Sequence, residues 1–193
     1  MRTLPQLHLA STSPRRREIL QTLGVEFDVV MVDTDETAID GESPESLVVR
    51  LAAAKAEAVA APDSKAVLAA DTVIVLGERV LGKPRDADDA IAMLLALSGQ
   101  THSVITGVAL KTSEGTRAVL STTNVRFREI DRDEAAAYWQ SGEPCDKAGA
   151  YGIQGLGGIF VEAIEGSYSG VMGLPVFETV ELLKSAGIEV LAD

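Results

Sequence analysis

From Ala66 to Leu76 the chain is Val, Leu, Ile and Ala, interrupted only by Asp71 and Thr72. Such continuity, without alternation, marks a strand buried on both faces. It also places a carboxylate in the run. An ionised carboxylate in a buried strand is expensive unless paired, hydrogen-bonded or metal-bound. Asp71 therefore has two readings. It caps a turn at a strand end, or it is a general base or metal ligand at the head of a strand.

Other segments surround this strand with helices. Leu7 to Ala10 reads as a short strand feeding a helix that runs to about Leu23, with Ser13 as N-cap, Pro14 in first position and Gly24 as stop. Phe27 to Val32 predicts a second strand, and Ser43-Pro44-Glu45 opens a helix to about Ala60. A turn is expected around Asp63-Ser64. Gly77-Glu78 turns the apolar run into a short strand at Val80 and Leu81. Asp86 caps a helix through Leu97, with Gly99 as stop. Val104 to Leu110 and Ala118 to Phe127 read as paired strands joined near Ser113-Glu114-Gly115. Asp131 and Glu134 form a capping-box pattern before a helix that ends at Gly142. A strand from Ile159 to Ile164 and a helix from Pro175 to Ser185, stopped by Gly187, complete the pass. Early alternation followed by hairpins predicts an α/β fold with a mixed sheet flanked by helices. The 193 residues suit one domain, spanning 1–193.

Charge narrows the partners. With 17 basic and 29 acidic side chains, the net charge is −12. An acidic body repels a nucleic-acid backbone, so no polymeric DNA or RNA is expected. No apolar stretch has membrane-span length and no signal peptide is recognisable, so a soluble cytoplasmic protein is expected. The single cysteine, Cys145, excludes an internal disulfide, and the only histidines, His8 and His102, are read as structural.

Positive charge gathers where it costs most. Arg15, Arg16 and Arg17 follow Pro14 in the opening turn of a helix, against the positive end of its dipole. An anion docked there removes the cost, and Ser11, Thr12 and Ser13 add hydroxyl donors. The alternative is three solvated arginines around an ordinary cap. Lys83, between Gly82 and Pro84, is either a point charge for phosphate or a surface lysine in a turn. Glu36, with Asp33 and Asp35, offers oxygen ligands for Mg²⁺ or Mn²⁺, or is simply solvated. Lys55 lies in an alanine-rich helix with nothing local to single it out. Five glycines between residues 149 and 158 form either a tight loop or a backbone that approaches a ligand, with Gln154 projecting. A glutamine amide offers a donor and an acceptor, which match the carbonyl and N–H of uracil or thymine.

Taken together, Leu9-Ala10-Ser11-Thr12-Ser13-Pro14-Arg15-Arg16, Ala70-Asp71-Thr72-Val73, Gly82-Lys83-Pro84-Arg85, Leu97-Ser98-Gly99-Gln100-Thr101-His102 and Lys147-Ala148-Gly149-Ala150-Tyr151-Gly152-Ile153-Gln154-Gly155 resemble the Maf family of nucleoside triphosphate pyrophosphatases. The resemblance covers about residues 7 to 185. It implies a fold like the inosine triphosphate pyrophosphatases, with two lobes around a cleft, and a homodimer. It also implies metal-assisted hydrolysis of a nucleoside triphosphate to the monophosphate and pyrophosphate, with Mg²⁺ or Mn²⁺. By the resemblance, Asp71 is the proton acceptor, and Arg15, Thr72 and Gln154 match positions linked to substrate choice. Ser11, Arg16, Lys55 and Lys83 match polar residues around the phosphates, and Glu36, with Asp71, matches the metal-holding carboxylates. A sibling branch acting on 7-methyl-GTP carries an aromatic residue, glutamine and glutamate at the positions of Arg15, Thr72 and Gln154. This chain follows the dTTP/UTP pattern at all three.

Two other functions compete. One is a nucleotide-binding regulator linked to cell division that senses a triphosphate without cleaving it. The other is an enzyme that removes modified nucleotides from the pool. Asp71 beside Arg15, Arg16 and Lys83 favours an enzyme over a sensor, because a sensor needs no water-activating carboxylate.

Overall fold

The computed structural model describes residues 7–60 and 65–190, so the turn expected around Asp63-Ser64 lies outside the described residues. The strands are β1 (Leu7–Leu9), β2 (Phe27–Val29), β3 (Ala66–Leu76), β4 (Arg79–Leu81), β5 (Thr101–Thr112), β6 (Gly115–Phe127) and β7 (Val161–Glu165). Their order in the sheet is β2-β1-β3-β5-β6-β7, with β4 paired to β3 off that path. β1 pairs parallel with both β2 and β3, whereas β3–β4 and β6–β7 are antiparallel. The sheet is therefore mixed, in an α/β fold. The helices are α1 (Pro14–Thr22), α2 (Pro44–Glu57), α3 (Ala87–Leu97), α4 (Arg132–Gln140), α5 (Tyr168–Val171) and α6 (Val176–Ser185).

The chain divides into two compact units. Unit 1 comprises the described residues within Met1–Asp71, Thr106–Ser121 and Gly173–Asp193, and unit 2 comprises Thr72–Ile105 and Thr122–Met172. In unit 1 one packed cluster is built from small residues, Ala10, Ala52, Ala56, Val67, Ala69 and Ala109, while leucines such as Leu7, Leu9, Leu20, Leu68 and Leu183 are fully buried in the same unit. Small side chains let the α2 backbone lie close to the sheet. A Cβ on Gly107 of β5 would come within 2.5 Å of the Val48 carbonyl oxygen. The core of unit 2 is aromatic, with Phe127, Tyr138, Tyr151 and Phe160 among Leu94, Leu97 and Val125.

Local chemistry explains most boundaries. α1 ends in a Schellman turn: Gly24 has φ 70° and donates to Gln21 O, while Val25 donates to Leu20 O. Ser43 caps α2 and Asp86 caps α3 through side-chain acceptors, and Asp131 with Glu134 completes a capping box on α4. Some bounds differ from the expected ones: α2 ends at Glu57, before Ala60, and β5 and β6 run longer, over Thr101–Thr112 and Gly115–Phe127. β2 stops at Val29 instead of Val32, because β1 offers partners only for Phe27, Asp28 and Val29. β7 starts at Val161 instead of Ile159, because Leu156–Phe160 is still turning as a 3₁₀ helix. The short helix α5, capped by Ser167, has only four residues and too little pattern to be read from sequence.

Candidate active site

The α1 N-terminus and the middle of β3 meet in unit 1. Ser13 has N-cap backbone geometry, but its side chain makes no capping hydrogen bond. Ser11 Oγ takes the Ser13 N–H at 3.2 Å, in the turn that leads into the helix. The same oxygen accepts from Arg16 Nη1 at 3.3 Å, and Arg16 Nε donates to the Gly173 carbonyl at 2.8 Å. Arg16 is thus held at both ends of its guanidinium. Burial lowers its pKa to about 10; Asp71 and Glu36 pull it up and Arg15 pushes it down. Arg16 stays protonated at neutral pH, and the field of both carboxylates reaches it.

Asp71 lies within β3, where continuous burial is interrupted: Ala66 to Ala70 are buried, Asp71, Thr72 and Val73 are half-buried, and Ile74 is buried again. Its side chain is 13% exposed and takes a hydrogen bond from Lys55 Nζ at 2.6 Å. Lys55 Nζ also lies 2.6 Å from Glu36 Oε1. One ammonium from the last turn of α2 therefore joins the strand carboxylate to the acidic loop. Glu36 and Asp71 together form a two-carboxylate donor set. That set suits Mg²⁺, which is held by one or two carboxylates plus phosphate oxygens. Among the described residues there is no group of three or more His, Cys, Asp or Glu able to hold a metal by itself.

Unit 2 carries the other candidates. Thr72 is half-buried in β3, and Lys83 is exposed after β4. Gly82 O accepts from the Gly149 N–H at 3.0 Å, which ties the Lys83 segment to the start of the glycine-rich loop. Gln154 is exposed at the tip of a turn closed by Gly155 N–H donating to Gly152 O at 3.2 Å.

The whole chain can now be set beside known proteins. The family described as Maf-like protein matches residues 6–186. The chain belongs to the Maf family. Among its Maf relatives, dTTP/UTP pyrophosphatases of Saccharophagus degradans and Hahella chejuensis are each 53% identical, over 95% and 97% of this chain and 90% and 96% of theirs. The dTTP/UTP pyrophosphatase of Vibrio cholerae is 51% identical over 94% of this chain and 98% of its own. Among solved structures, the Staphylococcus aureus Ham1 protein is similar over 63% of this chain and 71% of that one, at 17% identity and a TM-score of 0.44. So distant a likeness carries no functional argument.

In this Maf-family chain, the structure brings Ser11, Arg16, Glu36, Lys55 and Asp71 together, with Arg15 acting on Arg16 through its charge. Lys55, expected beside phosphates, pairs with both carboxylates. Glu143 was not read from the sequence at all. It is half-buried and joins the glycine-rich loop through backbone N–H groups, which leave no side-chain pattern.

Proposed function

We propose that this chain is a nucleoside triphosphate pyrophosphatase that hydrolyses dTTP and UTP to the monophosphate and pyrophosphate. The cluster of Arg16, Lys55 and Asp71 carries the reading: it sets a carboxylate beside two cations at the N-terminus of α1. The dTTP/UTP pyrophosphatases at about half identity support the same activity. Nucleotidyl transfer is mostly positioning and charge stabilisation. Asp71 takes a proton from the attacking water as its oxygen bonds to the α-phosphorus. The bond from that phosphorus to the bridging oxygen breaks, and pyrophosphate leaves. Arg16, Ser11, Lys55 and Lys83 bind the phosphate oxygens, and the α1 N–H groups face the same charge. A Mg²⁺ or Mn²⁺ held by Glu36 and Asp71 would neutralise charge on the phosphates. Lys55, paired with both of these carboxylates, holds a positive charge beside them.

Arg15, Thr72 and Gln154 select the nucleotide in this reading, with the Gln154 amide pairing the carbonyl and N–H of uracil or thymine. The chain acts as one catalytic domain, as a homodimer, in the cytoplasm. Light scattering of the purified protein tests the dimer. Purified protein is assayed with canonical and modified triphosphates plus Mg²⁺ or Mn²⁺, with pyrophosphate resolved from orthophosphate. Pyrophosphate with UMP or dTMP, and little product from 7-methyl-GTP, is expected. Orthophosphate with a nucleoside diphosphate would overturn the α-phosphorus mechanism.

A further inference from the structure

The loop that presents Gln154 is held by two side chains outside it. Glu143 follows α4, in the 3₁₀ turn Glu143–Asp146. Its Oε2 takes the Leu156 N–H at 2.8 Å, and its Oε1 takes the Gly157 N–H at 3.0 Å. Oε1 also accepts from the Tyr138 hydroxyl at 2.7 Å, and that hydroxyl oxygen accepts from the Gly152 N–H at 3.0 Å. Both ends of the 152–157 turn are thereby tied to one carboxylate, directly on one side and through Tyr138 on the other.

The glycines exist to let this happen. A Cβ on Gly155 would come within 2.3 Å of Glu143 Oε2, and one on Gly157 within 2.5 Å of the Tyr138 hydroxyl. A Cβ on Gly152 would come within 2.8 Å of Lys147 Cε. Lys147 Nζ in turn donates to the Glu143 carbonyl and to Asp146 Oδ1. The glycine run is thus fitted to Glu143, Tyr138 and Lys147. Within the turn, Ile153 is buried and Gln154 is exposed, so the bracing fixes which way the glutamine is offered.

We propose that Glu143, assisted by Tyr138, is a positioning residue for nucleotide selection, locking the 152–157 turn so that Gln154 is presented in one orientation. The proposal rests on the reading that Gln154 faces the base. A pre-organised amide binds without the entropy cost of ordering its loop, so loosening the brace weakens base recognition more than chemistry. Only a carboxylate serves every donor at this place. A glutamine amide at residue 143 would turn an NH₂ toward one of the N–H groups it must accept from.

The test compares Glu143→Gln, Tyr138→Phe and Gly155→Ala, alone and combined with Gln154→Ala. Losing a charged acceptor predicts that Glu143→Gln raises KM for dTTP and UTP about tenfold, with kcat within about threefold. Gly155→Ala, which crowds the same carboxylate from the loop side, has the same signature, and Tyr138→Phe a smaller one. Amide hydrogen exchange in the 152–157 turn rises in all three. In the Gln154→Ala background, Glu143→Gln raises KM no further, because the two act through one contact. Unchanged exchange in Glu143→Gln overturns the brace. Additive losses in the Gln154→Ala background, or a lower Tm with KM unchanged, reduce Glu143 to a structural role. If the wild type hydrolyses neither dTTP nor UTP, the functional reading fails, and the exchange data still decide whether Glu143 holds the loop.

Discussion

Lys55 shares one positive charge between Glu36 and Asp71, at 2.6 Å from each. Two carboxylates held that close to one another need it, or a metal, to offset their repulsion. Asp71→Asn leaves Lys55 paired with Glu36, so the fold survives while the proton acceptor is gone. Turnover is expected to fall about 10²–10⁴-fold, the range for losing a general base. Measured kcat in the purified variant, beside an unchanged circular dichroism melt, checks this; wild-type turnover would remove Asp71 from the mechanism. Gln154→Glu replaces the amide donor with a second acceptor. It is expected to shift preference away from dTTP and UTP with little change in Tm, as read from kcat/KM across a nucleotide panel. Asp71 was legible because a charge inside an apolar run has to be accounted for. Lys55 was not legible from pattern, since an alanine-rich helix gives a lysine the same look whether it faces solvent or a carboxylate. Its place in the site came only with the resemblance.

At the level of elements, α2 is both a packing unit and the carrier of Lys55. Its seat on β5 depends on Gly107, where a Cβ would lie within 2.5, 2.7 and 2.9 Å of three backbone atoms of Val48 and Val49. A helix backbone cannot give way as a side-chain tip can. Gly107→Ala should therefore push α2 off the sheet, costing about 1–3 kcal/mol as overpacking does. Because α2 carries Lys55, kcat should drop as well. Urea unfolding midpoints and turnover on the same preparation check both halves. A fully stable, fully active Gly107→Ala would show that the contact relaxes without moving Lys55. Helix ends were the most legible elements, because caps and stops are local chemistry: Ser43, Asp86, Asp131, Gly24 and Gly99 all stand where a terminus requires them. Ser13 had the right position, but its side chain makes no capping bond, and its own N–H is taken by the Ser11 hydroxyl in the turn before the helix. Strand ends were less legible because they are set by partners distant in sequence. β2 stops where β1 runs out of pairing residues. Glu143 was invisible for a related reason, since its contacts are to backbone groups 13 and 14 residues away.

For the whole molecule, pH reports on a group far from the proposed chemistry. His102 is 2% exposed in the core of unit 2, packed edge-on to Phe127 at 4.9 Å and hydrogen-bonded through Nε2 to the Tyr151 hydroxyl at 2.8 Å. Burial lowers its pKa from 6.5 to about 4. In the unfolded chain it takes a proton near 6.5, whereas the folded chain refuses one until about 4. Between those values the unfolded state binds more protons, so stability rises with pH and is lost on acidification. From pH 7.5 to pH 5 the loss attributable to His102 is roughly 2 kcal/mol. Glu143 acts in a lower window: burial raises its pKa, but Gly157, Tyr138, Leu156 and Lys147 outweigh that and hold it below the ordinary glutamate value of 4.5. Its contribution is present above that value and disappears as pH falls through the folded-state pKa. The two effects are separable by mutation. Urea unfolding at pH 7.5, 6.5, 5.5 and 5 should show the upper decline in wild type and a flatter profile in His102→Gln, whose amide keeps a partner for Tyr151. Equal slopes in the two proteins would mean that His102 is protonated in the folded state, and that the aromatic core of unit 2 admits a charge.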